Sequence, residues 1–319
     1  MEPGYTITYV FSNRTFLLLD FSGNILWSLE DLTIRSVSDF EILENGDMLY
    51  ITDTGAPCIH SFSEGRLYKG PSFGADHSLL MLPWGNILAL KPQNVDMGGS
   101  MGWIFSNDIV ELDPATNEIV WEWKVHEHGN PLEHYREYTL PDWSHANAIH
   151  FYEDQSAILF NPRSLDTFYF ISYPDGEILW ACKDEGTFGA DLFAEPHDPY
   201  LLPNGNVLMF DNGRYREPLF SRALELAIDP EQGTAEIAWQ YRETPDFYSD
   251  IMGDANRLSN GNTLVVDATS GRLVEVTPEG EKVWEATILM DRTTGWNHTL
   301  YKAERVPYDL YPQFGSGLP

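Results

Sequence analysis

Three histidines stand at matching places in a repeated stretch of this chain. His77 lies eight residues before the turn glycine Gly85, and His197 lies eight before Gly205. His145 reads as the corresponding start of the segment between them, where His145-Ala146-Asn147 leads into Ala148-Ile149-His150 and a Glu153-Asp154 turn. Ser38 and Gly253 fill the slot elsewhere, so the repeat itself does not require imidazole. Imidazoles gathered in one place can serve as nucleophile, general acid or base, or metal ligand. Strand alternation places Asn147 on the face of His145 and His150 on the opposite face. Arg163 follows the apolar run Ala157 to Phe160 and ends its strand close to the same mouth, where a guanidinium can fork two oxygens of a small oxyanion. Three histidines also suit Zn²⁺, but a fixed guanidinium beside them opposes a dication. His77, His145, His197, Asn147 and Arg163 therefore read as an anion pocket that needs neither metal nor cofactor.

Such a pocket needs elements that bring distant segments together, and the repeats supply them. Leu43 to Leu49 (LENGDML), Leu82 to Leu88 (LPWGNIL), Leu202 to Leu208 (LPNGNVL) and Leu258 to Leu264 (LSNGNTL) are near copies. Asn-Gly or Gly-Asn between apolar runs is a hairpin cue, read here as a turn whose two central residues both take positive φ. Each unit then closes on an aromatic strand: Gly23 to Trp27, Asn117 to Trp121, Gly176 to Trp180, Gly233 to Trp239 and Gly280 to Trp284. Four-stranded blades are expected over 37–70, 76–128, 142–186, 197–244 and 254–288, a period seen in propellers. Residues 5–30 supply only three strands, and Trp296 to Arg305 (WNHTLYKAER) would complete them and leave no free edge. The expected architecture is all-β: a six-bladed β-propeller formed by residues 1–319 as one domain, its channel lined by the innermost strands. Two insertions, Pro92 to Trp103 and His126 to Trp143, are expected to be long loops at the mouth.

Composition limits the partners. Forty-nine acidic against nineteen basic residues give a net charge of −30, which repels nucleic acid and fits a solvated surface. Cys58 and Cys182 lack metal-like spacing, though one bridge between them is allowed. No apolar stretch is long enough to span a membrane. The start, Met1-Glu2-Pro3-Gly4, has no basic segment before an apolar run, so the chain is expected to be cytoplasmic or the mature form of a periplasmic or secreted protein. His126, His128 and His134 form a second cluster, read as a solvated or substrate-facing loop; His60 and His298 are read as structural. Asp211-Asn212-Gly213 could orient a histidine but reads first as a turn.

The run Asp142-Trp143-Ser144-His145-Ala146-Asn147, followed by Ile158-Leu159-Phe160-Asn161-Pro162-Arg163, resembles the bacterial arylsulfate sulfotransferases. So do His197-Asp198-Pro199-Tyr200-Leu201-Leu202-Pro203-Asn204-Gly205-Asn206, Phe210-Asp211-Asn212-Gly213, Ser221-Arg222-Ala223, Tyr248-Ser249-Asp250-Ile251-Met252-Gly253-Asp254 and Glu304-Arg305-Val306-Pro307-Tyr308. The resemblance implies a six-bladed propeller that moves a sulfuryl group from an aryl sulfate to a phenolic acceptor, without a nucleotide donor and through a sulfohistidine. By the same resemblance the nucleophile falls on His197 and the other site residues on His77, His145, Asn147 and Arg163. Two alternatives stand beside it: a lyase, cyclase or isomerase using the same pocket on an anionic or phenolic small molecule, and a non-catalytic propeller that binds through its loops. The sequence does not specify the oligomeric state.

Overall fold

In a computed structural model of the chain, the residues described are 1–30, 33–34, 39–99, 102–128, 142–183, 188, 192–289 and 299–315. Short apolar strands joined by glycine turns build antiparallel sheets of four strands. The first blade holds β1 (Tyr5–Val10), β2 (Thr15–Leu19) and β3 (Ile25–Glu30). The second holds β4 (Phe40–Ile42), β5 (Met48–Ile51), β6 (Pro57–Ser61) and β7 (Gly65–Lys69). The third holds β8 (Leu79–Met81), β9 (Ile87–Asp96), β10 (Trp103–Asp113) and β11 (Glu118–Trp123). The fourth holds β12 (Ala146–Tyr152), β13 (Ala157–Pro162), β14 (Thr167–Ser172) and β15 (Ile178–Lys183). The fifth holds β16 (Pro196–Leu201), β17 (Val207–Asp211), β18 (Arg222–Asp229) and β19 (Thr234–Tyr241). The sixth holds β20 (Asp254–Arg257), β21 (Thr263–Asp267), β22 (Arg272–Val276) and β23 (Lys282–Thr287). Finally β24 (Leu300–Val306) pairs with β1, Tyr5 opposite Val306, and becomes the innermost strand of the first blade.

The chain is thus a six-bladed β-propeller, closed as expected by its C-terminal strand. Of the segment expected to close it, Trp296, Asn297 and His298 lie outside the described residues, as does Ser38. Helix among the described residues is confined to single turns of 3-10 type, and no helix is long and apolar enough to cross a membrane.

The repeated turns differ from the expected type. In all four copies only the glycine takes positive φ: Gly46 at 84°, Gly85 at 91°, Gly205 at 85° and Gly261 at 89°. The leucine N–H bonds a carbonyl four residues on, as from Leu43 to Asp47, and the glycine N–H returns to the leucine carbonyl. This is a type I turn followed by a left-handed glycine, which accepts the prolines Pro83 and Pro203 where a turn with two positive φ values would not.

The asparagine after the glycine has a second task. Asn86, Asn206 and Asn262 donate from Nδ2 to Glu111, Glu225 and Glu275 on the third strands of their blades, at 2.7, 2.6 and 2.7 Å. Each glutamate is buried and engages the next blade: Glu111 takes the Tyr173 hydroxyl, Glu225 pairs with Arg257 at 2.7 Å and Glu275 with Arg305 at 3.1 Å. The recurring tryptophans reach across the same joints. Trp121, Trp239 and Trp284 donate from Nε1 to the carbonyls of Pro174, Pro278 and Phe21 at 2.8, 2.7 and 2.8 Å. Between the first and second blades the joint is aromatic, Phe16 meeting Phe40 and Tyr50 with ring centroids 5.5 and 5.4 Å apart.

One local expectation changes, and one open alternative closes. Pro92 to Trp103 is for the most part an extension of the β9–β10 hairpin, paired as far as Asp96 opposite Trp103, rather than an irregular loop. Cys58 and Cys182 are both buried free thiols.

Arg305 is 3% exposed and faces the fully buried Glu275 across the closing joint. Replacing Arg305 with Met removes the buried cation of that carboxylate and leaves it, as cationic partner, only the terminal ammonium of Met1 at 3.8 Å, so the unfolding free energy should fall by about 3 kcal/mol. Urea titration followed by tryptophan fluorescence reads this directly; an unchanged midpoint would show that the clamp does not hold the ring.

Candidate active site

His197 is the second residue of β16, opposite Phe210 of β17, and the pairing slips by one residue between it and Tyr200. Glu195 and Asp198, on either side, take φ of 51° and 46°, so the strand bends at this point and turns the imidazole inward, 5% exposed. Its Nδ1 lies 2.6 Å from Oδ1 of Asn212. The Asn212 amide nitrogen donates to the carbonyls of Ser249 at 2.6 Å and Met252 at 2.8 Å, which fixes its oxygen toward the ring. An amide oxygen only accepts, so Nδ1 carries the proton and Nε2 keeps its lone pair. Burial holds the His197 pKa well below the ordinary histidine value, and the Arg163 charge lowers it further. The result is a neutral, oriented imidazole with one free nitrogen.

His145 arrives differently. It precedes β12 with φ at 38°, and its Nδ1 bonds Asp142. The segment is pinned by Asn107 of β10, whose Oδ1 accepts from Ser144 Oγ at 2.9 Å and from the Ala146 N–H at 3.0 Å. The β9–β10 arm adds a bond from the Trp143 N–H to the Phe105 carbonyl. Burial lowers the His145 pKa, against the pull of Asp142, and the neighbouring His77 lowers it further. His77 meets His145 edge to face, with ring centroids 4.9 Å apart, and its Nδ1 lies 3.2 Å from Asp76.

Arg163 is 5% exposed and follows β13 directly. Its Nη2 donates to Glu195 and, at 3.5 Å, to the Asp250 carbonyl. Asn147 is bulged out of β12 and donates to the Pro196 carbonyl at 3.3 Å; Asn161 donates to the same carbonyl at 2.8 Å and to Asn147 Oδ1 at 2.5 Å. That amide pair grips the peptide bond immediately before His197. A cleft of about 400 Å³ is lined by Asp142, His145, Arg163, Ser164, Glu195, Arg214, Tyr215 and Ile251, and His197 and Asn147 line a separate small void with Asp198, Asp254, Tyr301 and Lys302. Among the described residues no three His, Cys, Asp or Glu side chains are placed to share a metal ion.

The structure brings His77, His145, Arg163 and His197 within electrostatic reach of one another and Asn147 against the peptide bond before His197, with corrections to how they get there. Val207 of β17 and Ala157 of β13 open equivalent strands, so Phe210 corresponds to Phe160, whose partner is Ile149. His145 therefore lies outside the slot of His197 and reaches the mouth from the preceding segment. The bulge at Asn147 also overrides strict alternation. Asn147 and His150 both turn toward the fifth blade, where His150 Nε2 meets Asp198 at 2.7 Å. Asn212, read as a turn residue, instead orients His197; its signal was its place two residues after Phe210. Asp142 and Asn107 carried no repeat signal at all.

Of the second cluster, His128 stacks on Trp123 at 4.3 Å and His126 lies 3.9 Å from Asp108, while His134 lies outside the described residues. The void that His197 and Asn147 line also holds a charged group: Lys302 sits 3.2 Å from Asp39, 3.5 Å from Glu304 and 3.8 Å from Asp198.

The family model described as "Arylsulfotransferase (ASST)" matches residues 5–297. No curated protein matches. Among solved structures, a protein of unknown function from Bacteroides caccae is 15% identical, with a TM-score of 0.60 over 94% of this chain and 98% of that one. A putative 6-phosphogluconolactonase from Bacteroides uniformis is 13% identical, with a TM-score of 0.56 over 96% and 100%. A streptogramin B lyase is 15% identical, with a TM-score of 0.54 over 90% and 80%. At these identities the structural neighbours bear on the fold alone.

Burial penalises imidazolium, so protonation of His197 lies on the acid side of the ordinary value of about 6.5. Nitrogen-15 histidine NMR should show its ring neutral, with the proton on Nδ1, at pH 6. Asn212→Asp supplies an anion that stabilises imidazolium and should move the titration upward. A ring that titrates alike in parent and variant would refute the orienting role of Asn212.

Proposed function

The chain belongs to the arylsulfotransferase family, and from that premise we propose that it transfers a sulfuryl group from an aryl sulfate ester to a phenolic acceptor through a sulfohistidine at His197. The observation that carries this reading is the His197–Asn212 bond. It leaves an unprotonated Nε2 in a desolvated place beside a guanidinium and two further imidazoles.

In the first half-reaction Nε2 attacks sulfur, the bond from sulfur to the aryl oxygen breaks, and the oxygen leaves with the bonding pair. The proton stays on His197 Nδ1 and is donated to Asn212 Oδ1, so that amide oxygen stabilises the positive ring of the N-sulfo imidazolium. In the second half-reaction the acceptor oxygen attacks the same sulfur, and the nitrogen–sulfur pair returns to Nε2. Donor and acceptor use the site in turn, which gives ping-pong kinetics.

His145 is the group suited to move the proton. Asp142 holds its Nδ1–H, so the opposite nitrogen can take the proton of the acceptor phenol. The aryl oxide of the donor leaves as the anion, and the imidazolium formed in the second half-reaction returns its proton to such an oxide or to solvent. Its lowered pKa keeps it a base at neutral pH. Arg163 and Asn147 face a transfer whose charge is spread over three sulfuryl oxygens, and there fixed donors act without reorganisation. No step calls for a nucleotide or a metal.

Incubation with a chromogenic aryl sulfate should give a transient sulfuryl adduct in intact mass spectra, mapped to His197 and discharged by an added phenol. His197→Ala should lose the adduct and about 10³-fold or more of the transfer rate. Transfer by the variant at the parent's rate would overturn the mechanism. Turnover of a phenolic anion with no adduct at all would favour a lyase, cyclase or isomerase instead.

A further inference from the structure

The cleft has a wall that the transfer chemistry leaves unused. Immediately after Asn212, the chain turns at Gly213 (φ 69°) and presents Arg214 and Tyr215 over the mouth. The turn is tightly determined. The Gly213 N–H bonds the Ala194 carbonyl at 3.1 Å and Asp211 Oδ1 at 3.2 Å, and the Arg216 N–H returns to the Gly213 carbonyl at 3.2 Å. A Cβ at Gly213 would lie 1.9 Å from the Phe220 carbonyl oxygen. Tyr215 takes φ of 74°, which a bulky aromatic residue rarely adopts, so the surrounding contacts hold it in a strained backbone. Strain of this sort gathers at ligand sites, and here it sets the Arg214 guanidinium 5.4 Å from the Tyr215 ring centre.

The charges point to one ligand class. Arg163 and Arg214 both contact Oε2 of Glu195, Arg214 at 3.3 Å, so two guanidiniums and one carboxylate leave one net positive charge. Asp142 lies on the cleft wall bonded to His145, whose ring is held toward the neutral form, so its carboxylate offsets that charge and the pull on an anion is local to the Arg163–Arg214 side. Arg163 is buried, whereas the Arg214 side chain is 37% exposed and the Tyr215 residue 46% exposed. An anion approaching a protein of net charge −30 is repelled at long range, and Arg214 is the solvent-facing cation of this cleft. A neutral phenol gains nothing from that charge.

We propose that Arg214 and Tyr215 form the donor-recognition element: the guanidinium binds an oxygen of the sulfate ester while the tyrosine ring packs against its aryl group. The element discriminates the sulfated donor from the uncharged acceptor at the same mouth. This inference rests on the sulfuryl-transfer reading.

Because the two half-reactions are separable, each can be followed alone. With 4-nitrophenyl sulfate, Arg214→Ala should raise the donor concentration that half-saturates adduct formation by roughly 10- to 100-fold, as expected for loss of a charge-assisted bond. Arg214→Lys should recover part of this, since it keeps the charge without the fork. Tyr215→Ala should weaken the same step, and Tyr215→Phe should match the parent. Discharge of the preformed Arg214→Ala adduct by an uncharged phenol should stay within about threefold of the parent, which also shows that the variant is folded. Unchanged donor dependence in Arg214→Ala, or an equal loss in both half-reactions, would overturn the proposal while leaving sulfuryl transfer intact. A parent that forms no adduct with any aryl sulfate would instead bring down the sulfuryl-transfer reading, and this one with it.

Discussion

A sheet standing radially in a ring touches only its two neighbours, so the position of every channel residue depends on how firmly each blade is clamped to the next. Here the clamps are polar and repeated. Asn206–Glu225–Arg257 joins the fifth blade to the sixth, and Asn262–Glu275–Arg305 joins the sixth to the first. The site is assembled across such joints. Arg163 of the fourth blade bonds Glu195 at the start of the fifth, and Asn212 of the fifth is held by carbonyls on the way to the sixth. Group transfer loses much of its advantage when reacting atoms are misplaced by about 1 Å. In the proposed sulfuryl transfer, propeller closure is therefore part of the chemistry as well as of the stability.

Electrostatics in the channel follow from burial. The two imidazoles His145 and His197 are held on the neutral side because imidazolium is poorly solvated there and because Arg163 lies close to both. Arg163 itself is desolvated, and Glu195 keeps it charged. Beside Asp198, Lys302 is caged by carboxylates that stabilise its ammonium, while Asp254, buried next to Asp198, is pushed well above the carboxylate range. A large negative net charge thus coexists with buried charges held in pairs such as Arg163–Glu195 and Arg305–Glu275. That pairing lets an acidic protein offer a pocket for an anion.

The parts of this arrangement that were legible in the sequence are those the repeat writes several times. Gly85, Gly205 and Gly261 mark their hairpins because a left-handed φ is needed at each, and the asparagine after each one is retained by its buried glutamate. Residues 5–30 lacked a strand, so a closing strand had to come from elsewhere. The histidines stood out because the other blades lack them. What could not be read is what happens once. The Asn147 bulge and the left-handed His145 shift faces without changing the apolar pattern. Asn212 lies in an Asp-Asn-Gly sequence that any turn could carry, and only the carbonyls of Ser249 and Met252 reveal which way its amide points. Asn107 acts through a segment 37 residues away at Ser144, a contact that no local spacing encodes.

The Asp211-Asn212-Gly213 turn joins two tasks that usually sit on separate elements. Asp211 anchors it by accepting Arg222 at 2.8 Å and the Ala194 N–H at 2.9 Å, and Asn212 sets the tautomer of His197. Gly213 then takes the bend that no side chain could share, since the Phe220 carbonyl occupies the place of its Cβ. Directly after that bend, Arg214 and Tyr215 line the mouth. Because the glycine absorbs the change of direction, the wall and the bond that orients the imidazole are set by different residues of one turn. In the proposed transfer, an oriented imidazole beside a separately built wall is the condition under which one mechanism can serve different partners, and Asp211 to Tyr215 set both.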